Sequence, residues 1–264
     1  MQSPTHSSGA TDSPREACDV AVVFALGIEA GGLIDRMDGR TALWGRGLSV
    51  RLGSLEARSL AVVTGGAGEE NAARATEAVL EGHRPQWIIA AGFAGGLRAG
   101  LERNDVVMAD CVANTHGRQL RIDLSVDPRE LQRHPGVHVG RLLSVAHPVC
   151  GPEEKAALGA AHDALAVDME TFAVVEMCRR RRVRCLAVRI VYDPADERLP
   201  RDVETLLAQP TLAARLGAAA ATVFRRPSSL KDFYRMRARA LRASDRLAGF
   251  LQGVIAQLGT GHDA

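Results

Sequence analysis

Neither sign of charge predominates in this 264-residue chain: 33 Lys and Arg stand against 31 Asp and Glu, a formal net charge of +2. That balance gives no strong case for a nucleic-acid binder. Long apolar runs are also missing. The longest, such as Val20–Leu26, fall far short of the ~20 residues that a membrane-spanning helix requires. The cysteines Cys18, Cys111, Cys150, Cys178 and Cys185 are odd in number and scattered, without CxxC spacing. This argues against both a zinc ribbon and a secreted disulfide scaffold. No charged segment followed by an apolar one opens the chain, so a cytoplasmic protein is expected. The eight histidines include no HExxH pattern, and Pro135 and Gly136 separate His134 from His138, so neither a metal nor another cofactor is expected.

What is present suits a soluble globular protein: 46% hydrophobic and 24% charged residues, at a length able to bury roughly three quarters of its unfolded surface. Residues 1–17, rich in Ser, Thr, Pro and Gly, read as a disordered lead-in. Apolar, β-branched runs then recur at Val20–Leu26, Leu60–Val63, Trp87–Ala91, Asp105–Ala109, Leu142–Val145, Ala164–Val167 and Cys185–Val191. Such runs fit strands buried on both faces. Between them the periodicity predicts helices over Glu69–Glu81, Pro152–Ala161 and Glu170–Arg181. Alternating strands and helices predict a single α/β domain over residues 18–209 with a largely parallel sheet. Residues 210–264 are predicted to be a helical extension packed on the same domain, with helices over Leu212–Phe224 and Ser229–Leu258. The second carries apolar residues interleaved with arginines. It reads as a helix packed on the domain with a solvated basic face, the alternative being a surface for an anionic membrane or lipid-like substrate.

Ligands of open α/β sheets bind beyond the carboxyl ends of strands. There the sequence places Glu29, in FALGIEAGG, and two glycine-rich segments, TGGAGEENAA and AAGFAGGL. Gly65, Gly66 and Gly68 of the first segment, and Gly92, Gly95 and Gly96 of the second, read as strand-to-helix turns where a ligand could approach the backbone. Neither segment is a Walker loop or a GxGxxG fingerprint. Asp168 and Glu170 flank Met169 in VDMET, and Asp193 follows a buried strand in RIVYDPAD. Carboxylates there are costly to desolvate unless paired or used. Taken alone, Asp168 could instead be a helix cap, Asp193–Pro194 a turn, and Glu29 a carboxylate favoured by the helix dipole.

In order and spacing FALGIEA, TGGAGEENAA, AAGFAGGL with NDVVMAD, VDMET and RIVYDPAD resemble the nucleoside phosphorylase and nucleosidase superfamily. The likeness runs from about Asp19 to Pro200 and is greatest to its methylthioadenosine/S-adenosylhomocysteine nucleosidase branch. It implies one α/β domain around a twisted, partly closed mixed sheet, a homo-oligomer, and cleavage of a purine N-glycosidic bond. The residues at matching positions imply Asp193 as the acid that protonates purine N7 and Glu29 as the base that activates water. They also imply Glu170 as acceptor of the ribose hydroxyls and Met169 beneath the ribose, with Gly66, Phe93, Gly95, Val149 and Asp168 completing the substrate site.

Departures from the family pattern are Phe93 where many relatives have Ser, Tyr192 where the usual turn reads Ser-Asp, and a base-binding loop, SVAHPVCGPEE, that lacks a Phe. His147, Val149 and Cys150, or Phe172 from the next helix, are the candidates for contact with the base, with His147 itself read rather as a loop or core residue. Arg98 and Arg189 are the candidate phosphate ligands of a phosphorylase, the alternative to a hydrolase. A third reading is a nucleoside-binding module without turnover. DPADERLPRDV and the basic tail resemble hopanoid-associated members of the superfamily, which implies a greasy 5′ substituent such as an adenosyl-hopane as the alternative to a soluble thioether nucleoside.

Overall fold

The computed structural model describes residues 17–45, 47–124, 133–199 and 229–258. The predicted helix Leu212–Phe224 and most of the 1–17 lead-in lie outside them. The apolar runs form the core strands: β1 (Val20–Phe24), β4 (Arg58–Thr64), β5 (Trp87–Gly96), β6 (Val106–Asn114), β8 (Val137–Ser144), β9 (Ala166–Asp168) and β10 (Arg184–Asp193). Two strands, β2 (Asp38–Gly45) and β3 (Leu48–Leu55), arise where no strand was predicted, and the short β7 (Gln119–Arg121) pairs with β6. β2 is exposed along almost its whole length, so it lacks the apolar signature by which buried strands are read.

The mixed sheet runs β10-β6-β8-β9-β5-β1-β4-β3-β2, and β10 also pairs with β5. That extra pairing closes β5, β10, β6, β8 and β9 into a ring, with β1, β4, β3 and β2 as an open arm. This is the expected partly closed sheet. The predicted helices appear as α2 (Glu69–His83), α3 (Pro152–His162), α4 (Thr171–Arg181) and α5 (Ser229–Gln257), with α1 (Gly27–Asp35) following β1 directly. Helix α5 lays Ala243, Leu247, Ala248, Leu251 and Ile255 on the domain, chiefly against α1. Its apolar stripe is therefore spent on packing, with Tyr234 and Leu241 left exposed.

Register positions the site. Along one edge of β5, β1 pairs with residues 87–90 and β9 with Gly95 and Gly96. The stretch between them has no strand neighbour on that edge among the described residues. On the opposite edge β10 runs parallel to β5 until a bulge between Val191 and Asp193. Bulges re-aim side chains beside active sites, and this one brings Asp193 alongside Gly95.

Candidate active site

Among the described residues, the buried Asp, Glu, Lys and Arg side chains are Glu29, Lys155, Asp168, Glu170, Arg189 and Asp193. They come from four separate elements and the β9–α4 junction, and all sit at or just behind one cavity of about 240 Å³. Charges are buried in folded proteins only when paired or used, so this convergence marks the site without reference to any motif.

Glu29 lies in the first turn of α1 and reaches into the gap along β5. Its Oε2 accepts the Leu26 N–H at 2.7 Å and its Oε1 the Phe93 N–H at 2.9 Å. It thus satisfies an orphan amide of the helix start and an amide left by the split edge of β5, with lone pairs to spare on both oxygens. Burial raises its pKa, opposed by the positive charge of Arg189 and by the backbone donors. Glu170, between β9 and α4, accepts from the Gly68 N–H (2.8 Å) and the Met169 N–H (3.3 Å). Burial pushes it up to about 7, with Arg189 pulling down and Asp168 and Glu29 pushing further up.

Arg189, 1% exposed on β10, binds Asp168 and Glu170 from beneath. Its Nη2 is 2.6 Å from Asp168 Oδ2 and 3.6 Å from Glu170 Oε2, and its Nε donates to Thr171 Oγ1 at 2.9 Å. Asp168 also accepts from Ser144 Oγ at 2.6 Å and from the Thr171 amide and hydroxyl at the start of α4. Its side chain is 0% exposed. Asp168 therefore borders the cavity but spends its carboxylate on Arg189 and the helix start, a role closer to the cap reading than to ligand contact.

Asp193 is covered from behind by α3. Lys155 is the buried residue of that helix, and its Nζ lies 2.5 Å from Asp193 Oδ2. The ammonium donates to the carbonyls of Pro194 and Glu197, both at 2.8 Å, so Oδ2 has a charge partner without a directed hydrogen bond. We read the contact as an ion pair, since Coulomb attraction at this distance does not need hydrogen-bond alignment. Burial pushes Asp193 up to about 6 against the pull of Lys155 and Arg103.

Met169, Phe93, Gly95 and Val149 line the cavity, and so do His147, Leu199 and Ala240. Other expectations are corrected. Gly66 is not a lining residue: its N–H binds the Ala25 carbonyl at 2.9 Å, and Ala67 faces the cavity instead. Gly92, Gly95 and Gly96 belong to strand β5 rather than to a strand-to-helix turn. Cys150 and Phe172 do not line the cavity; Phe172 is buried in the core beneath it. Arg98 is paired with Asp163 at 2.6 Å outside the cavity, and Arg189 is committed to Asp168. Lys155 was not singled out by the sequence, because one lysine after two glutamates in a helical first turn reads as solvated.

The two aromatic departures prove to be one feature. Phe93 and Tyr192 stack with ring centroids 5.2 Å apart and planes 11° from parallel. The Tyr192 hydroxyl donates to the Met236 carbonyl of α5 at 3.3 Å, which ties this wall to the C-terminal helix.

Gly92 is needed for close approach. A Cβ there would lie 2.5 Å from Arg189 Nη1 and 3.0 Å from Glu29 Oε1, and Arg189 cannot yield without leaving Asp168. Gly92→Ala is expected to cost about 1–3 kcal/mol, as overpacking does. Urea denaturation checks this; a variant of wild-type stability would contradict it.

The fold and site define a nucleoside phosphorylase-like α/β domain. The chain belongs to the phosphorylase superfamily, whose model matches residues 19–225. Solved structures with similar folds include a 5′-methylthioadenosine/S-adenosylhomocysteine nucleosidase from Neisseria meningitidis bound to methylthio-immucillin-A. Its identity is 21% and its TM-score 0.71, covering 91% of this chain and 99% of that one. An S-adenosylhomocysteine nucleosidase from Streptococcus pyogenes with 5-methylthiotubericidin is 17% identical, TM-score 0.72, covering 94% and 100%. A futalosine hydrolase mutant from Helicobacter pylori is 16% identical, TM-score 0.70, covering 91% and 99%.

Proposed function

We propose that this protein is a purine nucleosidase that hydrolyses the N-glycosidic bond of a 5′-substituted adenosine. The observation that carries the reading is the charge of the site: four buried carboxyl groups against two buried cations, both cations already engaged. Cleavage of the bond builds positive charge on the ribosyl ring, which a site rich in carboxylates stabilises. Asp193 gives its proton to purine N7 as the C1′–N9 electron pair leaves with the base. Water adds to C1′ and passes a proton to Glu29, while Glu170 accepts the ribose hydroxyls and Met169 underlies the ring. Division of acid and base work between separate carboxyl groups is the logic of glycoside hydrolysis.

A phosphorylase would need a cation free to meet phosphate. Among the described residues neither Lys nor Arg lines the cavity, which favours water. The wall beyond the carboxylates is apolar, with Ile28, Phe93, Tyr192, Val149, Leu199 and Ala240, and this suits an uncharged, greasy 5′ substituent over the amino-acid end of S-adenosylhomocysteine. Adenine release is the test, with methylthioadenosine, S-adenosylhomocysteine and a long-chain 5′-alkyl adenosine compared in phosphate-free buffer. The alkyl nucleoside is expected to have the highest kcat/KM of the set; its equal or poorer cleavage would overturn the preference, and no release from any of them would favour a binding module.

A further inference from the structure

Lys155 has no part in the chemistry above, yet its placement is the least explicable in the fold as mere packing. It is the buried residue of α3, 0% exposed, while its helix neighbours Glu153 and Glu154 face solvent. A buried lysine is costly unless fully engaged. Here the ammonium meets the Asp193 carboxylate at 2.5 Å and the carbonyls of Pro194 and Glu197 at 2.8 Å, with the Asp193 carbonyl at 3.4 Å. The chain beyond β10 is thereby wrapped round one charge, on the side of the carboxyl group away from the cavity. Pro152 at the helix start and the 3.0 Å bond from the Lys155 N–H to the Gly151 carbonyl fix the first turn that holds it there.

We propose that Lys155 is a positioning residue that makes Asp193 a competent proton donor, by holding its carboxyl group in place and stabilising the carboxylate left when the proton goes to the purine. The inference rests on the reading of Asp193 as the general acid. A general acid must hold its proton near the working pH and still release it in the transition state. Burial supplies the first requirement and pushes Asp193 up to about 6; Lys155 supplies the second by keeping it from rising further. Other groups face the same carboxyl group. Arg103 approaches from the turn before β6, Tyr192 is adjacent on β10, and Glu29, Glu170 and His147 lie around the cavity. Arg103 is itself bound to the Tyr192 carbonyl and to Glu197, which Arg239 of α5 also contacts, so Lys155 is the cation in direct contact with Asp193.

The test compares Lys155→Gln and Lys155→Met, which lack the charge, with Lys155→Arg, which keeps it. Adenine release from methylthioadenosine is followed against pH, beside Asp193→Asn. In the wild type kcat/KM is expected to fall as pH rises through about 6, because Asp193 loses its proton. Without the cation this alkaline limb moves up by about one to three pH units, and kcat drops roughly 10- to 100-fold through misplacement of the acid. Lys155→Arg keeps the limb near its wild-type position. A limb that does not move in folded Gln and Met variants overturns the inference, even where Asp193→Asn is inactive. Full activity of Asp193→Asn overturns the underlying reading instead. Should the uncharged variants fail to fold, or methylthioadenosine not be cleaved, the wild type still decides through ¹⁵N NMR of the lysine Nζ groups. The Lys155 signal must change as Asp193 gives up its proton near pH 6 and must lose that change in Asp193→Asn; a signal indifferent to Asp193 overturns the proposed coupling.

Discussion

Asn in place of Asp193 is expected to lower adenine release by about 100- to 10,000-fold, the range spanned by general acids. The amide preserves the shape of the side chain but has no proton of suitable acidity for N7. Stability should respond with a definite sign. Asp193 has its pKa raised on folding, from the ordinary 3.8 to about 6, so the folded state binds the extra proton in that window. Its contribution is full at low pH and is lost as pH rises through about 6. By linkage the loss is on the order of 3 kcal/mol between about pH 4 and 7. Asn does not titrate, so its melting temperature should gain on the wild type between pH 5 and pH 8. An identical difference at both pH values would show that Asp193 is not perturbed in this way.

Removing Arg189 is expected to have the largest effect on the fold. Arg189→Met leaves Asp168 facing an uncompensated buried space, with Glu170 and Glu29 nearby. Breaking a buried pair from one side costs about 3–5 kcal/mol, a large share of the ~5–15 kcal/mol that stabilises a typical domain. The loss should be smaller at pH 5 than at pH 8, because Glu170 and Glu29, already raised by burial and then released from Arg189, can take up protons. Asp168→Asn in the same chain should restore part of it, since the charge that Arg189 neutralises is then gone. Chemical denaturation of the single and double variants measures both effects. A loss below about 1 kcal/mol, or a double variant weaker than the sum of the singles, would contradict the role assigned to this cluster.

Much of this site is legible in the sequence because it lies at strand ends, where short motifs record both backbone and chemistry. Glu29, Met169, Glu170 and Asp193 all reach the cavity from such places. The competing structural readings were also physically sound. Glu29 does serve the helix start, and Asp168 does bind the first turn of α4. Glu29 serves the helix start and still lines the cavity, whereas Asp168 spends its whole carboxylate on structure. What escaped the sequence is what depends on long-range register. The run AAGFAGG looks like a turn because of its glycines, but β9 and β10 pair with it and make it strand. Lys155 is 38 residues from Asp193, and nothing local distinguishes it from a solvated lysine. Phe93 and Tyr192 read as two separate departures until the parallel register of β5 and β10 stacks them. Strands β2 and β3 carry too little apolar periodicity to be seen, since β2 is exposed and β3 mostly half-buried.

The central claim is that water, not phosphate, takes the sugar. It is tested most directly by the product formed when the wild-type protein cleaves its preferred 5′-substituted adenosine in phosphate buffer, followed by ³¹P NMR. The site described here predicts free sugar alone, at a rate independent of phosphate and lost in Glu29→Gln. A sugar 1-phosphate signal growing with adenine release would contradict it and make the protein a phosphorylase.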